Sequence, residues 1–330
     1  MNLETSYLGL TLVNPLVVGA SPMGDDVYLA RQLQDCGAAA LVMRSLFEEQ
    51  IDAEQRALTH HVESSAESHA EARSYFPRFS EYQLTTDRYL RQLELLKQTL
   101  TIPVIASLNG CRPGGWIDYA IRFQAAGADA IELNLYQLAS DPDVAADQIE
   151  ADMLETVSLV TSAVDIPVAV KLSPFHTAPV QFAVAVERAG AAGVVVFNRF
   201  YQPDFAIDDL EVKPQLRLSE PGELLLRLRW LAIISPRVTC SLAATGGVHG
   251  SDDVVKAILA GAHAVQLVSV LLQHGPRILT TLADGLRRWM GEHDYATMDE
   301  FRGAMNLRRC PDPAAFERAN YQRILQSWRV

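Results

Sequence analysis

The stretch IELNLYQL, Ile131 to Leu138, begins as a buried strand and then changes character. Ile131, Leu133 and Leu135 alternate with Glu132 and Asn134, and the run closes on Tyr136 and Gln137. Side chains alternate faces along a strand, so one face here is wholly apolar and the other carries a carboxylate and an amide. Burying those groups without partners costs roughly 2–7 kcal/mol each. The stretch therefore needs a fold that covers its apolar face and supplies polar partners to the other.

Seven further β-rich runs supply the context: LVVGAS from Leu16, ALVMRS from Ala40, VIASLN from Val104, VAVKLS from Val168, GVVVFN from Gly193, TCSLAATGG from Thr239 and AVQLVS from Ala264. Helix-length segments separate most of them, as at Tyr89–Leu100, Trp116–Ala126, Ala145–Ala163 and Val180–Ala189. Repeated strand-then-helix order implies crossovers and a parallel sheet. Pro15, Pro103, Pro167 and Pro236 precede the odd strands, while Gly-Ala pairs at Gly37, Gly127, Gly190 and Gly261 precede the even ones. Proline blocks helix continuation and glycine closes a helix at its C-terminal cap. The pattern reads as two βα units used four times, an α/β protein with a closed (β/α)8 TIM barrel. A doubly wound open sheet is the alternative, but GASPMGDD after the first strand lacks a dinucleotide fingerprint.

Two connections, Ser45 to about Thr85 and Arg199 to Pro221, are long rim insertions after strands two and six. Both fall on the C-terminal rim, where barrel active sites lie, and read as lids or substrate walls. The expected organisation is one barrel over residues 1–303. A helical extension over 304–330 packs on the barrel or at an interface, with Phe316, Ile324 and Trp328 hinting at its packing face.

The chain has 330 residues, 49% hydrophobic and 21% charged, as in ordinary globular proteins. A net charge of −12 and a pI near 5.1 argue against nucleic-acid or anionic-membrane partners. No apolar run reaches the ~18 residues of a membrane span. The start, MNLETSYLGL, shows no secretory signal, and Cys36, Cys111, Cys240 and Cys310 form no CxxC pair, so a reduced cytoplasmic chain is expected.

If the fourth strand lines a barrel, Glu132 and Asn134 face its interior. VAVKLS then places Lys171 beside them, and a buried lysine needs such partners. A purely structural ion pair would satisfy the same pattern. Polar groups nevertheless converge at several strand ends: Asn109, Asn134, Lys171 and Asn198. LAATGGVHGSDD, after the seventh strand, offers Gly246 and Gly247 to a phosphate, with Ser251–Asp252 capping the next helix and Ser269 closing the eighth strand. The loops after strands seven and eight are the usual phosphate site of such barrels. His60 and His61 have no ligand spacing, and no metal is expected. Asp208, Asp209 and Glu211 read as a solvated face, whereas Arg199, Tyr201 and Phe205 either wall a ligand pocket or pack the insert.

NPLVVGASP, ELNL at Glu132–Leu135, VKLSPF at Val170–Phe175, the Asn198 strand end, ATGGV at Ala244–Val248 and YATMDEFRG together resemble dihydroorotate dehydrogenases of the soluble class. The resemblance covers about Leu3 to Gly303. It implies FMN as cofactor, a small pyrimidine-type substrate, a homodimer and a separate electron acceptor or redox partner protein. It also implies that Lys171 contacts the flavin and stabilises its reduced, anionic form, as a positive charge there would. Ala20, Ser21, Arg44, Ser45, Asn109, Asn134 and Asn198 would line ring and substrate. Gly222, Thr245, Gly246, Gly247 and Ser269 complete the implied cofactor set.

The chain also departs from that pattern. The family's fourth strand ends Asn-Leu-Ser-Cys-Pro-Asn, where this chain has Asn134-Leu135-Tyr136-Gln137-Leu138-Ala139. The family's Asn-Ser-Met-Gly-Leu-Pro-Asn motif is replaced by EARSYFPRFSEY, its second-strand lysine by Arg44, and its eighth-strand glycine by Val268. Gln137 cannot accept a proton near neutral pH. Tyr136 and Cys111 remain as candidates for a base, although Cys111 reads more readily as a small apolar filler. Dihydroorotate activity is therefore in doubt. Two other functions fit: a non-flavin lyase or aldolase using Lys171 as a Schiff base, or a flavin-bearing electron-transfer subunit.

Overall fold

The computed structural model describes residues 1–47, 86–110, 116–135, 137–199, 202–213, 216–316 and 319–327. Eight parallel strands close on themselves: β1 (Leu16–Val18), β2 (Ala40–Val42), β3 (Val104–Gly110), β4 (Ala130–Leu135), β5 (Val168–Leu172), β6 (Gly193–Val196), β7 (Ser241–Thr245) and β8 (Ala264–Leu267). Closure runs through Val265 beside Leu16 and Leu41 beside Val104. Leu46–Phe47 prolongs β2 along β3, pairing with Leu108 and Asn109. The fold is the (β/α)8 barrel.

The outer layer comprises α1 (Val27–Asp35), α2 (Thr86–Thr99), α3 (Trp116–Ala125), α4 (Ala146–Ala163), α5 (Pro179–Arg188), α6 (Leu224–Ile234) and α7 (Ser251–Ala260). After β8 come α8 (Ser269–His274) and α9 (Ile278–Glu292). The Gly-Ala punctuation has a common geometry. Gly37, Gly127, Gly190 and Gly261 all have φ between 90° and 119°. At Gly37, for example, the glycine N–H donates to Gln34 and the following Ala38 N–H to Leu33. That 6→1 and 5→2 pair is the Schellman cap, which turns a helix end sharply into the next strand.

Alternation sorts the strands into two packing layers. Ile131, Leu133 and Leu135 join the large cluster against the helices. Val17, Val42, Ile105, Ala130, Ala169, Val195, Ala243 and Ala264 point inward and form a second cluster. These inner side chains are mostly small, and an antiparallel hairpin (Thr5–Tyr7 with Leu10–Leu12) completes the filling by adding Tyr7, Leu8 and Leu12. Gly193 makes room for it, since a Cβ there would lie 2.4 Å from Leu8 Cδ2. The Leu8 N–H donates to Ser241 Oγ and Thr5 Oγ1 donates to the His263 carbonyl, which anchors the hairpin under β7 and β8.

The rim insert after β6 carries its own hairpin, Asp204–Ala206 with Glu211–Lys213. Phe205 is exposed there, so it neither walls a pocket nor packs the insert, and Asp208, Asp209 and Glu211 form the solvated face expected. Beyond Gly303 the chain is tied to the barrel helices: Met305 N–H donates to Leu259, Leu307 N–H to Ala232 and Arg308 to Pro236. Phe316 packs on the core, but on α10 (Ala319–Ser327) Tyr321, Ile324 and Leu325 are exposed. Trp328 lies outside the described residues, as do His60, His61 and Tyr201. Among the described residues no helix is long and apolar enough to cross a membrane.

His263 yields a test of the β7–β8 seam. Its Nδ1 accepts from Leu242 N–H at 3.0 Å, and burial, reinforced by the Arg302 charge, pulls its pKa down to about 4. An unfolded histidine titrates near ~6.5, so between these values the unfolded chain binds more protons. The associated stability is full above pH 6.5 and drains as pH falls toward 4, by at most about 3 kcal/mol. Urea unfolding across that window is expected to show the decline, and His263→Asn, which keeps an acceptor without titrating, to flatten it.

Candidate active site

One step above the small apolar filling, the inward positions turn polar. Ser107, Glu132, Lys171 and Gln266 are all buried. Lys171 Nζ donates to Glu132 Oε1 at 3.1 Å and to Gln266 Oε1 at 3.3 Å, while Gln266 Nε2 donates to Glu132 Oε2. Glu132, Lys171 and Gln266 thus form a closed triangle spanning β4, β5 and β8. The Tyr7 hydroxyl faces it from the hairpin below, fully buried and without a hydrogen-bond partner among the described residues. Burial first, and the Glu132 charge next, hold that phenol well above its ordinary pKa.

The following layer belongs to the amides. Asn109, Asn134 and Lys171 lie abreast in register on β3, β4 and β5. Asn134 Nδ2 donates to Ser45 Oγ at 3.1 Å, Ser107 Oγ at 2.9 Å and the Leu108 carbonyl at 3.2 Å. Its NH2 is therefore fully engaged. Among the described residues no donor reaches its Oδ1, and the side-chain amides of Asn109 and Asn198 have no partner.

Two adjoining cavities, of about 410 and 310 Å³, sit on this floor and share Ala20, Ser21, Pro22, Lys171, Asn198 and Arg199. The outer one adds Arg44, Ser45, Asn109 and Asn134. The inner one adds Thr245, Gly246, Gly247 and Ser269. Arg44 is paired with Asp25 at 2.9 Å, and Arg199 with Glu223 at 3.3 Å. Among the described residues, Ser21 Oγ is buried with no partner.

The inner cavity is lined by a tight glycine turn. Gly246 and Gly247 have φ of 89° and 80°, in the left-handed region. A Cβ on Gly247 would lie 2.3 Å from Leu224 N, and one on Gly246 2.9 Å from Arg227 Nη2. Only glycine lets the backbone approach this closely. Arg227 is itself buried, with Nε donating to the Thr245 carbonyl and Nη1 to the Glu223 carbonyl, and it places a positive charge directly behind the turn. Ser219 reaches over from the rim insert: its N–H donates to Ser269 Oγ, and its Oγ accepts from Gly247 N–H at 3.2 Å.

The sequence-derived set is thus largely brought together, with two corrections. Gly222 is exposed in the turn Pro221–Glu223 and lines neither cavity. The cap of α7 is Gly250, with Asp253 accepting from the His249 and Gly250 N–H groups, so Ser251 and Asp252 are already helical. Tyr136 and Cys111 lie outside the described residues. Sequence reading missed Ser107, Gln266, Ser219 and Arg227. Alternation could have found the first two, because Ser107 follows Ile105, and Gln266 follows Ala264, on the inward face. Among the described residues no cluster of His, Cys, Asp or Glu could hold a metal.

Comparison with known proteins gives one family model, dihydroorotate dehydrogenase, matching residues 81–290. A dihydroorotate dehydrogenase B (NAD(+)) catalytic subunit of Thermoplasma volcanium is 25% identical over 92% of this chain and 98% of its own length. Its counterpart from Methanothermobacter thermautotrophicus is 25% identical over 91% and 97%. A chloroplastic dihydropyrimidine dehydrogenase (NADP(+)) of Arabidopsis thaliana is 23% identical over 92% of this chain and 76% of its own.

Ser21 separates a ligand-binding hydroxyl from a structural one. An unsatisfied buried hydroxyl carries a desolvation penalty of about 1–3 kcal/mol. Ser21→Ala is therefore expected to leave the ligand-free protein at least as stable in a thermal melt while weakening ligand binding. A clear loss of ligand-free stability would make the hydroxyl structural.

Proposed function

The chain belongs to the dihydroorotate dehydrogenase family, and from that premise we propose that it is an FMN-dependent oxidoreductase acting on a pyrimidine-type ring. The observation that carries this reading is the pairing of a glycine anion cradle with a charged floor in adjoining cavities. The residues fit the cofactor. Gly246 and Gly247, backed by Arg227, would take its phosphate. The orphaned Ser21 hydroxyl and Lys171 would meet its polar ring edge. When bound, the flavin would supply hydride acceptance from a C–H bond. One glycine turn, Gly246–Gly247, lines the inner cavity, and the sequence carries no dinucleotide fingerprint after the first strand, which favours FMN over a dinucleotide.

The protein's own contributions are orientation and electrostatics. Asn109 and Asn198 each offer an unengaged donor and acceptor, and Asn134 a free carbonyl, a set complementary to the alternating N–H and C=O groups of a cyclic diamide. Lys171 would supply positive charge to the cofactor's polar edge. Its ion pair with Glu132 also speaks against the lyase reading, because an uncharged amine nucleophile would leave Glu132 as an uncompensated buried anion. The names of two relatives specify a catalytic subunit, which supports reoxidation through a partner protein.

The spectrum of the purified protein tests the cofactor. A flavin absorbance, released by heat and migrating as FMN, is expected; released FAD, or no uptake of added FMN, would refute it. Dihydroorotate is expected to reduce that flavin slowly. Its oxidation removes a ring proton, general-base catalysis is worth about 10²–10⁴-fold, and Gln137 cannot provide it. Anaerobic stopped-flow bleaching is the measurement. Fast bleaching at micromolar substrate, abolished in Tyr136→Phe or Cys111→Ser, would instead identify a base on the rim.

A further inference from the structure

The Glu132–Lys171–Gln266 triangle is more than barrel filling. Below it the interior is packed with small apolar side chains, Ala130, Ala169, Ala243 and Ala264 among them. A buried ion pair gives little net stability over well-packed apolar side chains, since desolving both charges offsets their attraction. Glu132 is 1% exposed and Lys171 6%, and Lys171 lines both cavities. The carboxylate thus lies under the lysine, away from the ligand. Both of its oxygens are engaged, one by Lys171 and the other by Gln266. Two of the three ammonium donors are fixed by Glu132 and Gln266, leaving one for the cavity.

Resting on the FMN reading above, we propose that Glu132 is a positioning residue for the redox chemistry. It pins the Lys171 ammonium against the cavity floor and offsets part of its charge, so that it, and not Lys171 alone, sets how strongly the protein favours the reduced cofactor. Gln266 acts with it by locking the carboxylate. A lysine with a carboxylate at 3.1 Å presents much less net charge upward than a bare one. Glu132 therefore holds the affinity for electrons below the maximum that Lys171 could impose.

The experiment is a dye-coupled reduction titration of the purified holoprotein in four forms: wild type, Glu132→Gln, Lys171→Met and the double variant. Glu132→Gln keeps shape and hydrogen-bonding capacity while removing the negative charge. It is expected to move the flavin equilibrium at fixed poise toward the reduced form by about tenfold or more, the scale of losing one adjacent opposite charge. The expected order of reduction potential is Glu132→Gln highest, wild type next, and the two variants lacking Lys171 lowest. Glu132→Asp, which retains the charge, should lie near wild type. A purely structural Glu132 would lower the melting temperature without this ordering. Glu132→Gln at or below the wild-type potential overturns the proposal. Should that single variant not fold, the double variant against Lys171→Met still decides it, because the two differ only at Glu132: a double variant at or below the Lys171→Met potential refutes an electrostatic role for Glu132. A colourless wild type would instead refute the FMN reading itself.

Discussion

Everything above the middle of this barrel depends on one buried contact, the 3.1 Å ion pair between Lys171 and Glu132. Two opposite charges inside a parallel barrel have to be surrounded by groups that tolerate them, and their neighbours follow from that need. Gln266 satisfies both partners at once through its amide. Ser107 and Ser45 serve Asn134 in the adjoining network, and Tyr89 closes the back of β3 by exchanging hydrogen bonds with the Ser107 backbone. Beneath, the filling reverts to alanine and valine. The interior is therefore stratified, with apolar packing below and a hydrogen-bonded polar sheet above, and the boundary passes between Ala130 and Glu132.

Among the described residues, three arginines of the rim are partnered within the chain. Arg44 meets Asp25, Arg199 meets Glu223, and Arg227 shares Glu223 from the opposite side. Glu223 thus links the outer cavity to the Gly246–Gly247 turn through two guanidinium groups. Groups paired in this way hold orientation well, because each is fixed by a planar fork. Among the described residues, the unengaged polar atoms of the cavities are mostly uncharged: the amides of Asn109 and Asn198, the Asn134 carbonyl and the Ser21 hydroxyl. Such a surface discriminates by hydrogen-bond pattern more than by net charge, since a buried donor or acceptor left unpaired is the larger penalty.

The barrel was legible because two periodic signals agreed: alternation along each run and the proline or Gly-Ala punctuation between runs. Both are local and survive without an alignment. Glu132 and Lys171 were legible for the same reason, as polar residues at inward positions on neighbouring strands. Arg227 and Ser219 were not, because each acts through an approach that only the folded chain creates, one from behind the Gly246–Gly247 turn and the other across it. Gly222, counted with the cofactor set by resemblance, lies exposed in the turn Pro221–Glu223 and outside both cavities. The cap of α7 slipped by one or two positions because Ser251, Asp252 and Asp253 all have capping chemistry, and only the backbone angles select among them.

The hairpin around Leu8 has an implication for how the chain reaches this fold. Its anchors on the barrel are Ser241, 233 residues downstream, and His263, 258 residues downstream of Thr5. Contacts of such separation demand loop closure over most of the chain before they return any stabilisation. During synthesis the hairpin must wait, its Tyr7, Leu8 and Leu12 uncovered, until β7 and β8 have left the ribosome. The barrel floor is thus made well before the strands that seat it, and an apolar surface exposed for that interval is one that chaperones recognise.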